Sequence, residues 1–279
     1  MPSGRRYARR RVSIVTEHTE AFGGLPVHWR RAPGPAVDTL YLHGVPNSAR
    51  QWDPFLRLGG GLAVDLPGFG RSVKRSDFDY SIAGYDRFLE SFLDGLDLGR
   101  VNLVMHDWGA VGLALAQRRP ERVGRLVLID TVPLLPGYRW HRIARAWRTP
   151  VLGELLMGVT THRTLKLLSR DANSAPLPDD FLEEVMADLD HGTQRAILRL
   201  YRSAPETVLA EAGARLSALR VPSLVVWGEN DPYIPAEFGA TYAEVLGGAE
   251  LVRIADAGHW PWLDQPELVG QIVEFMSLP

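Results

Sequence analysis

The feature that most constrains this chain is a recurring set of short, unbroken apolar runs. They are Thr39–Leu42, Gly61–Val64, Val101–Met105, Leu126–Ile129, Leu224–Trp227 and Leu251–Ile254, each followed closely by Gly or Asp. Runs this short and without polar alternation suit strands covered on both faces. Amphipathic stretches at Tyr85–Leu96, Ala110–Arg118 and Pro266–Met276 are interleaved with them. The alternation predicts an α/β fold, an open and mostly parallel sheet flanked by helices.

The pattern breaks between Pro133 and Leu219, where no strand-like run occurs. That stretch reads as helices at Trp140–Trp147, Leu152–Met157, Phe181–Leu189, Thr193–Tyr201 and Thr207–Leu219. The expected organisation is a core of residues 1–132 and 220–279 with an inserted helical cap at 133–219. No internal repeat or long linker is evident.

Size and charge exclude several classes. The 279 residues, 46% of them hydrophobic, can bury a sizeable core. A formal net charge of −2, from 31 Lys and Arg against 33 Asp and Glu, gives no reason to invoke nucleic acid. The absence of Cys excludes disulfides, thiolate metal sites and Cys nucleophiles. No apolar run reaches the roughly 18 residues of a membrane span. The Arg cluster at Arg5, Arg6, Arg9, Arg10 and Arg11 lacks a following apolar h-region, so no signal peptide is read and the expected location is cytoplasmic. The cluster itself reads as a solvated tail.

Chemistry concentrates in four segments, three of them at the ends of predicted strands, the edge where open α/β sheets form sites. In Val104-Met105-His106-Asp107-Trp108-Gly109-Ala110 a strand turns sharply into a helix and presents Asp107 at the tip. The alternative role for that Asp is an ordinary helix N-cap. Leu42-His43-Gly44-Val45-Pro46-Asn47-Ser48 is a Gly-containing turn whose amides suit a developing oxyanion. Asp231, held before Pro232, suits the orientation of a histidine, with an Asx turn as the rival. His259, in Ala257-Gly258-His259-Trp260-Pro261-Trp262, is poorly explained as core. Of the other histidines, His106 has a comparable context; His18, His28, His141, His162 and His191 read as surface or cap residues. No histidine pair has metal-ligand spacing, so no metal is expected.

The order Asp107, Asp231, His259 resembles the nucleophile–acid–histidine order of the α/β-hydrolase fold superfamily over nearly the whole chain. The elbow His106-Asp107-Trp108-Gly109 narrows the resemblance to the branch with an aspartate nucleophile: epoxide hydrolases, haloalkane dehalogenases and fluoroacetate dehalogenases. Asp65-Leu66-Pro67-Gly68-Phe69-Gly70-Arg71-Ser72 resembles a loop common in the superfamily. The resemblance implies an eight-stranded, mostly parallel sheet and a cofactor-free hydrolase. A carboxylate suits in-line attack on an sp3 carbon, giving an alkyl ester of Asp107. Water activated by His259, itself oriented by Asp231, then hydrolyses the ester, with the Val45 and Trp108 amides as oxyanion hole.

Two leaving groups compete. An opening epoxide needs a proton donor, which epoxide hydrolases supply from Tyr, whereas a halide needs N–H donors. Val45 stands where many dehalogenases have a donating Asn. Leu200-Tyr201-Arg202 resembles the Tyr-Arg pair of epoxide hydrolases, and His43-Gly44-Val45-Pro46 their His-Gly-X-Pro segment. Tyr138 is the candidate second tyrosine, with burial in the cap as its alternative, and core packing is the alternative for Tyr201. Against this, Met105 and an available Trp108 indole suit a dehalogenase, as does Asp130, which matches where some dehalogenases keep their acid. Trp140 or Trp147 offers a second N–H. Fluoroacetate dehalogenases usually carry Arg after the nucleophile, where this chain has Trp108.

The expectation is therefore hydrolysis of small to medium apolar epoxides to vicinal diols, with haloalkane dehalogenation as the alternative. The pocket is expected to include His43, Pro46, His106, Trp140 and Trp260. Expected partners are a small-molecule substrate and water, with no nucleic acid and no membrane, in a monomer or homodimer. A non-catalytic receptor on the same fold would break at least one of the three positions, and none is broken.

Overall fold

The computed structural model of the protein describes residues 13–278. The basic cluster from Arg5 to Arg11 lies outside them. Eight strands form one sheet: β1 (Thr16–Phe22), β2 (Leu25–Ala32), β3 (Thr39–Leu42), β4 (Gly61–Val64), β5 (Val101–Asp107), β6 (Val123–Thr131), β7 (Ser223–Gly228) and β8 (Glu250–Ile254). Their spatial order is β1-β2-β4-β3-β5-β6-β7-β8. The β1–β2 and β2–β4 pairs are antiparallel and the others parallel.

The apolar runs follow from this arrangement. Successive strand residues point to opposite faces. Leu103 and Met105 of β5 enter one hydrophobic cluster and Val104 the other; Val225 and Trp227 of β7 part in the same way from Leu224 and Val226. Both faces are covered, so apolar residues dominate each. The first two strands escaped the sequence reading because β1 is largely exposed and polar. Gly23 and Gly24, both at positive φ (58° and 79°), close the hairpin, with Phe22 opposite Leu25.

Helices α1 (Asp53–Gly59), α2 (Ile82–Gly95) and α3 (Gly112–Arg118) connect the first strands. Between β6 and β7 lie α4 (Arg142–Arg148), α5 (Leu152–Gly158), α6 (His162–Leu168), α7 (Asp179–Asp188), α8 (His191–Ser203) and α9 (Glu206–Ala212). The helix read over Thr207–Leu219 ends at Ala212. A side chain at Gly213 would strike the Leu134 carbonyl at 1.7 Å, and Arg215 N–H turns to Gln117 Oε1. α10 (Glu237–Val245), α11 (Pro261–Asp264) and α12 (Leu268–Met276) complete the chain. Among the described residues no helix is long and apolar enough to cross a membrane.

Candidate active site

β5 delivers Asp107 to the C-terminal edge of the sheet at φ 48°, ψ −117°, a strained conformation for a non-glycine residue. A short 3-10 turn, Trp108–Val111, leads from it into α3. The Asp107 side chain makes no cap hydrogen bond to that turn, so it is not acting as an N-cap. Instead Val45 N–H donates to Asp107 Oδ2 at 2.8 Å. Gly44 makes the approach possible, because a Cβ there would stand 2.5 Å from that of Asp107. Burial pushes the Asp107 carboxyl up to about 6; His259 and the amides of Val45 and Trp108 oppose the rise.

His259 lies beyond β8. Its Nδ1 stands 2.7 Å from Asp231 Oδ2, and Asp231 Oδ1 accepts the amides of Tyr233 (2.7 Å) and Ile234 (3.1 Å). The expected Asx-type turn and the histidine partner are thus one arrangement. Burial disfavours the charged ring, but Asp231 and then Asp107 outweigh it, so His259 titrates above its ordinary value.

Asp130, at the end of β6, is fully buried and also at positive φ (40°). Its Oδ1 accepts Gly228 N–H at 3.0 Å. Burial, and next the neighbouring Asp231, raise its pKa well above the ordinary carboxylate value, which favours its protonated form.

An aromatic wall faces Asp107. The Trp108 indole stacks on Trp140 (5.4 Å) and meets Tyr201 edge-on (5.2 Å); Trp140 contacts Tyr138 (5.1 Å) and Tyr201 (4.9 Å). Burial, and next the Asp107 charge, raise the pKa of both phenols, which remain protonated. Tyr138 OH donates a long bond, 3.4 Å, to the Tyr233 carbonyl. Trp108 Nε1 is buried without a hydrogen-bond partner. Trp140 Nε1 donates to the Ala204 carbonyl at 2.9 Å, which removes it as a second donor.

Two residues expected in the pocket are braces instead. His43 Nδ1 is 2.7 Å from the Gly44 carbonyl and its Nε2 accepts Leu66 N–H at 3.0 Å. Both nitrogens are satisfied by backbone, and burial pushes the ring down to about 4, so His43 is neutral and holds the loop. His106 Nε2 donates to the His259 carbonyl at 2.8 Å, behind the catalytic edge. Trp260 packs edge-on against His259 (4.7 Å) and near Phe181 (5.4 Å). Pro46 is half-buried beside Val45.

Three residues escaped the sequence reading. Tyr233 lies against His259 (5.0 Å) and against His141 (5.0 Å). His141, taken for a surface or cap residue, does cap α4, where its Nδ1 accepts Ala144 N–H at 3.4 Å. Yet burial and His259 push its ring down to about 4, which ties it to the site. Asn173 clamps the histidine loop: its Oδ1 accepts Trp260 N–H (3.0 Å) and its Nδ2 donates to the Trp260 carbonyl (2.8 Å). Beside it, His259 N–H donates to the Ala172 carbonyl at 2.8 Å. The sequence signal at Tyr233, two residues after Asp231, was available; nothing local marked Asn173. His28 is also buried rather than superficial.

A mostly parallel sheet carrying an elbow, an acid and a histidine at one edge defines an α/β-hydrolase-fold hydrolase. The chain belongs to the Alpha/beta hydrolase family, whose profile matches residues 40–272. It is similar to a haloalkane dehalogenase of Mesorhizobium japonicum, 30% identical over 265 residues, covering 87% of this chain and 84% of that one. Among solved structures it resembles the haloalkane dehalogenase DbeA of Bradyrhizobium elkani (TM-score 0.80, 24% identity, 95% and 98% coverage). It equally resembles the epoxide hydrolase CorEH (TM-score 0.81, 20% identity, 95% and 99% coverage). At such identities these two structures speak for the fold alone.

Proposed function

We propose that the protein hydrolyses small to medium apolar epoxides to vicinal diols through an alkyl ester of Asp107. The observation that carries this reading is the pair of buried phenols, Tyr138 and Tyr201, packed in one aromatic cluster with Trp140 and with Trp108, the residue that follows Asp107. Asp107 Oδ2 is held by Val45, which leaves Oδ1 to attack an epoxide carbon. The new C–O bond forms as the ring C–O bond breaks, and the departing oxygen takes a proton from a phenol, later restored from water. His259 then removes a proton from water, and the hydroxide adds to the ester carbon of Asp107. The Val45 and Trp108 amides stabilise the oxyanion, each such donor being worth about 3 kcal/mol of barrier. Collapse expels the diol oxygen, which is protonated by His259. In this scheme α4–α9 act as a cap whose aromatic residues wall the pocket.

Haloalkane dehalogenation is the second reading. It is favoured by the orphaned Trp108 Nε1 and by the 30% identical relative. It is disfavoured by Val45, which lacks a side-chain donor, and by the engaged N–H of Trp140. Epibromohydrin carries both leaving groups and tests the choice. Bromopropanediol as the first product, without free bromide, is expected; glycidol with stoichiometric bromide would overturn the epoxide reading.

A further inference from the structure

The insertion that covers the site has an unusual outer face. Of the ten large hydrophobic residues exposed in the described chain, seven lie between Val151 and Leu168. Leu152, Leu155, Leu156 and Val159 follow the helical spacing i, i+3, i+4, i+7 along α5, and Val159 leads directly into α6, which exposes Leu167 and Leu168. Leu155 and Val159 are 64% and 63% exposed. Single exposed apolar residues are ordinary, but a contiguous cluster of this kind marks an interaction surface.

Charge identifies the partner. Residues 139–170 carry six Arg and one Lys against a single acid, Glu154, in a chain whose net charge is −2; three of these cations are paired with acids from beyond that stretch, Arg148 with Glu206, Lys166 with Asp179 and Arg170 with Asp171. Glu154 is held in a two-pronged pair by Arg202 (2.7 and 2.8 Å). Arg142, Arg145 and Arg163 are exposed and have no acidic partner among the described residues. Pairing this face with the same face of a second copy would set like charges against each other. An apolar stripe flanked by unpaired Arg instead matches the boundary of a bilayer with anionic headgroups.

We propose that the α5–α6 face docks the protein on an anionic phospholipid surface, with leucine and valine side chains entering the headgroup boundary. The sequence reading excluded a membrane for want of a spanning run, and surface docking needs none. The same insertion carries Trp147, which meets Tyr201 of the aromatic wall at 5.2 Å, so docking brings the lipid boundary near the site. Apolar molecules concentrate in that boundary. The proposal does not depend on the identity of the leaving group.

The test is co-sedimentation of the full chain with phosphatidylglycerol-rich vesicles and with phosphatidylcholine vesicles. Binding to the anionic vesicles, weakened by salt, is expected, with little binding to the zwitterionic ones. Leu155→Asp/Val159→Asp and Arg145→Glu/Arg163→Glu, each checked by thermal melting for retained fold, should lose at least about tenfold in binding. Failure to bind anionic vesicles at low salt overturns the proposal. So does binding that survives both double variants, which would place the contact elsewhere, as in the Arg-rich N-terminus. A wild-type dimer that Leu155→Asp/Val159→Asp dissociates would overturn it too, by assigning the face to a second copy.

Discussion

Asp231 Oδ2 lies 2.7 Å from His259 Nδ1, while Oδ1 of the same carboxylate is fixed by two backbone amides. Both oxygens are engaged, which holds the carboxylate against rotation away from the ring. Asn at this position can keep its oxygen on the two turn amides only by turning its NH2 to His259 Nδ1, which then has to be unprotonated, so the ring is held in the wrong tautomer. Asp231→Asn is expected to lower kcat about 10³–10⁴-fold, the scale found when a triad acid is made neutral. Asp130→Asn should stay within about tenfold, because Asn copies a protonated acid: an oxygen for Gly228 N–H and a donor toward Asp231. Steady-state kinetics of the two variants decides. The reverse ranking would move the acid role to Asp130.

The pH dependence follows from two shifts. On the proposed mechanism Asp107 attacks as the carboxylate, and its pKa is pushed up to about 6, so ester formation should fall as pH drops through that value. On the same mechanism His259 acts as a neutral base, and its pKa is raised, so ester hydrolysis should also fail on the acid side. The phenols titrate well above their ordinary value and stay protonated through neutral pH. The kcat profile should therefore show an acid limb that levels off only above the raised pKa of His259, with no basic limb in the mildly alkaline range. A fall between pH 7 and 9 would show that a phenol, or another group, titrates lower than its burial implies.

Much of the fold was legible because the sheet is dry on both faces. The runs Thr39–Leu42 and Gly61–Val64 coincide with β3 and β4. β1 was not legible, since an edge strand with polar residues gives no apolar run. α6 was missed because its helix buries no residue fully and two of its three leucines, Leu167 and Leu168, face outward. At the site, Asp107, Asp231 and His259 stood out because each interrupts a strand–loop pattern. Their neighbours did not. His43 looked like a pocket residue because only three dimensions show both its nitrogens taken by backbone. Asn173 lies 87 residues from Trp260, and no local pattern records such a contact.

Raised acidity also bears on stability. The folded-state pKa of Asp107 rises from 3.8 to about 6, so the folded chain holds this proton more tightly than the unfolded chain. Ionising Asp107 thus destabilises the fold above about pH 6, and the penalty disappears as pH falls below the unfolded value. Asp107→Asn keeps an acceptor for Val45 N–H and carries no charge. At pH 8 it should be more stable by on the order of 1–3 kcal/mol, about 2–5 °C in Tm. The gain should shrink toward pH 4. Equal melting temperatures at both pH values would argue against a buried ionised Asp107.

Asn173 is a positioning residue, joined to Trp260 by both ends of its amide. Asn173→Ala frees the loop that carries His259 without touching Asp107. Single-turnover ester formation should be nearly unchanged, while ester hydrolysis should slow about 10–100-fold through misplacement of the base. A purely structural role would lower both steps together, in line with the loss of folded enzyme, so rapid-quench measurement of the two rates separates the cases.

Tyr201 and Trp108 meet edge-on at 5.2 Å above the same carboxylate, yet the two leaving groups need them differently. An epoxide oxygen departs with a charge that a phenol neutralises by proton transfer, a step worth about 10²–10⁴-fold in rate. A halide departs without a proton and is held only by N–H donors, of which Trp108 Nε1 is the one left orphaned at the wall. On the epoxide reading Tyr201→Phe should lower ester formation from styrene oxide by at least about 10²-fold, with Tyr138→Phe adding to the loss. Trp108→Phe should cost much less, since it removes packing and a donor that the alkoxide does not require. With 1-bromohexane as substrate the order should reverse, because bromide is stabilised by the indole and gains little from the phenol. Measuring both variants on both substrates keeps the comparison internal to each protein, so a folding defect in one variant lowers both columns and is recognised. Loss of styrene oxide turnover in Trp108→Phe together with full activity in Tyr201→Phe would assign Tyr201 to packing and the site to a halide.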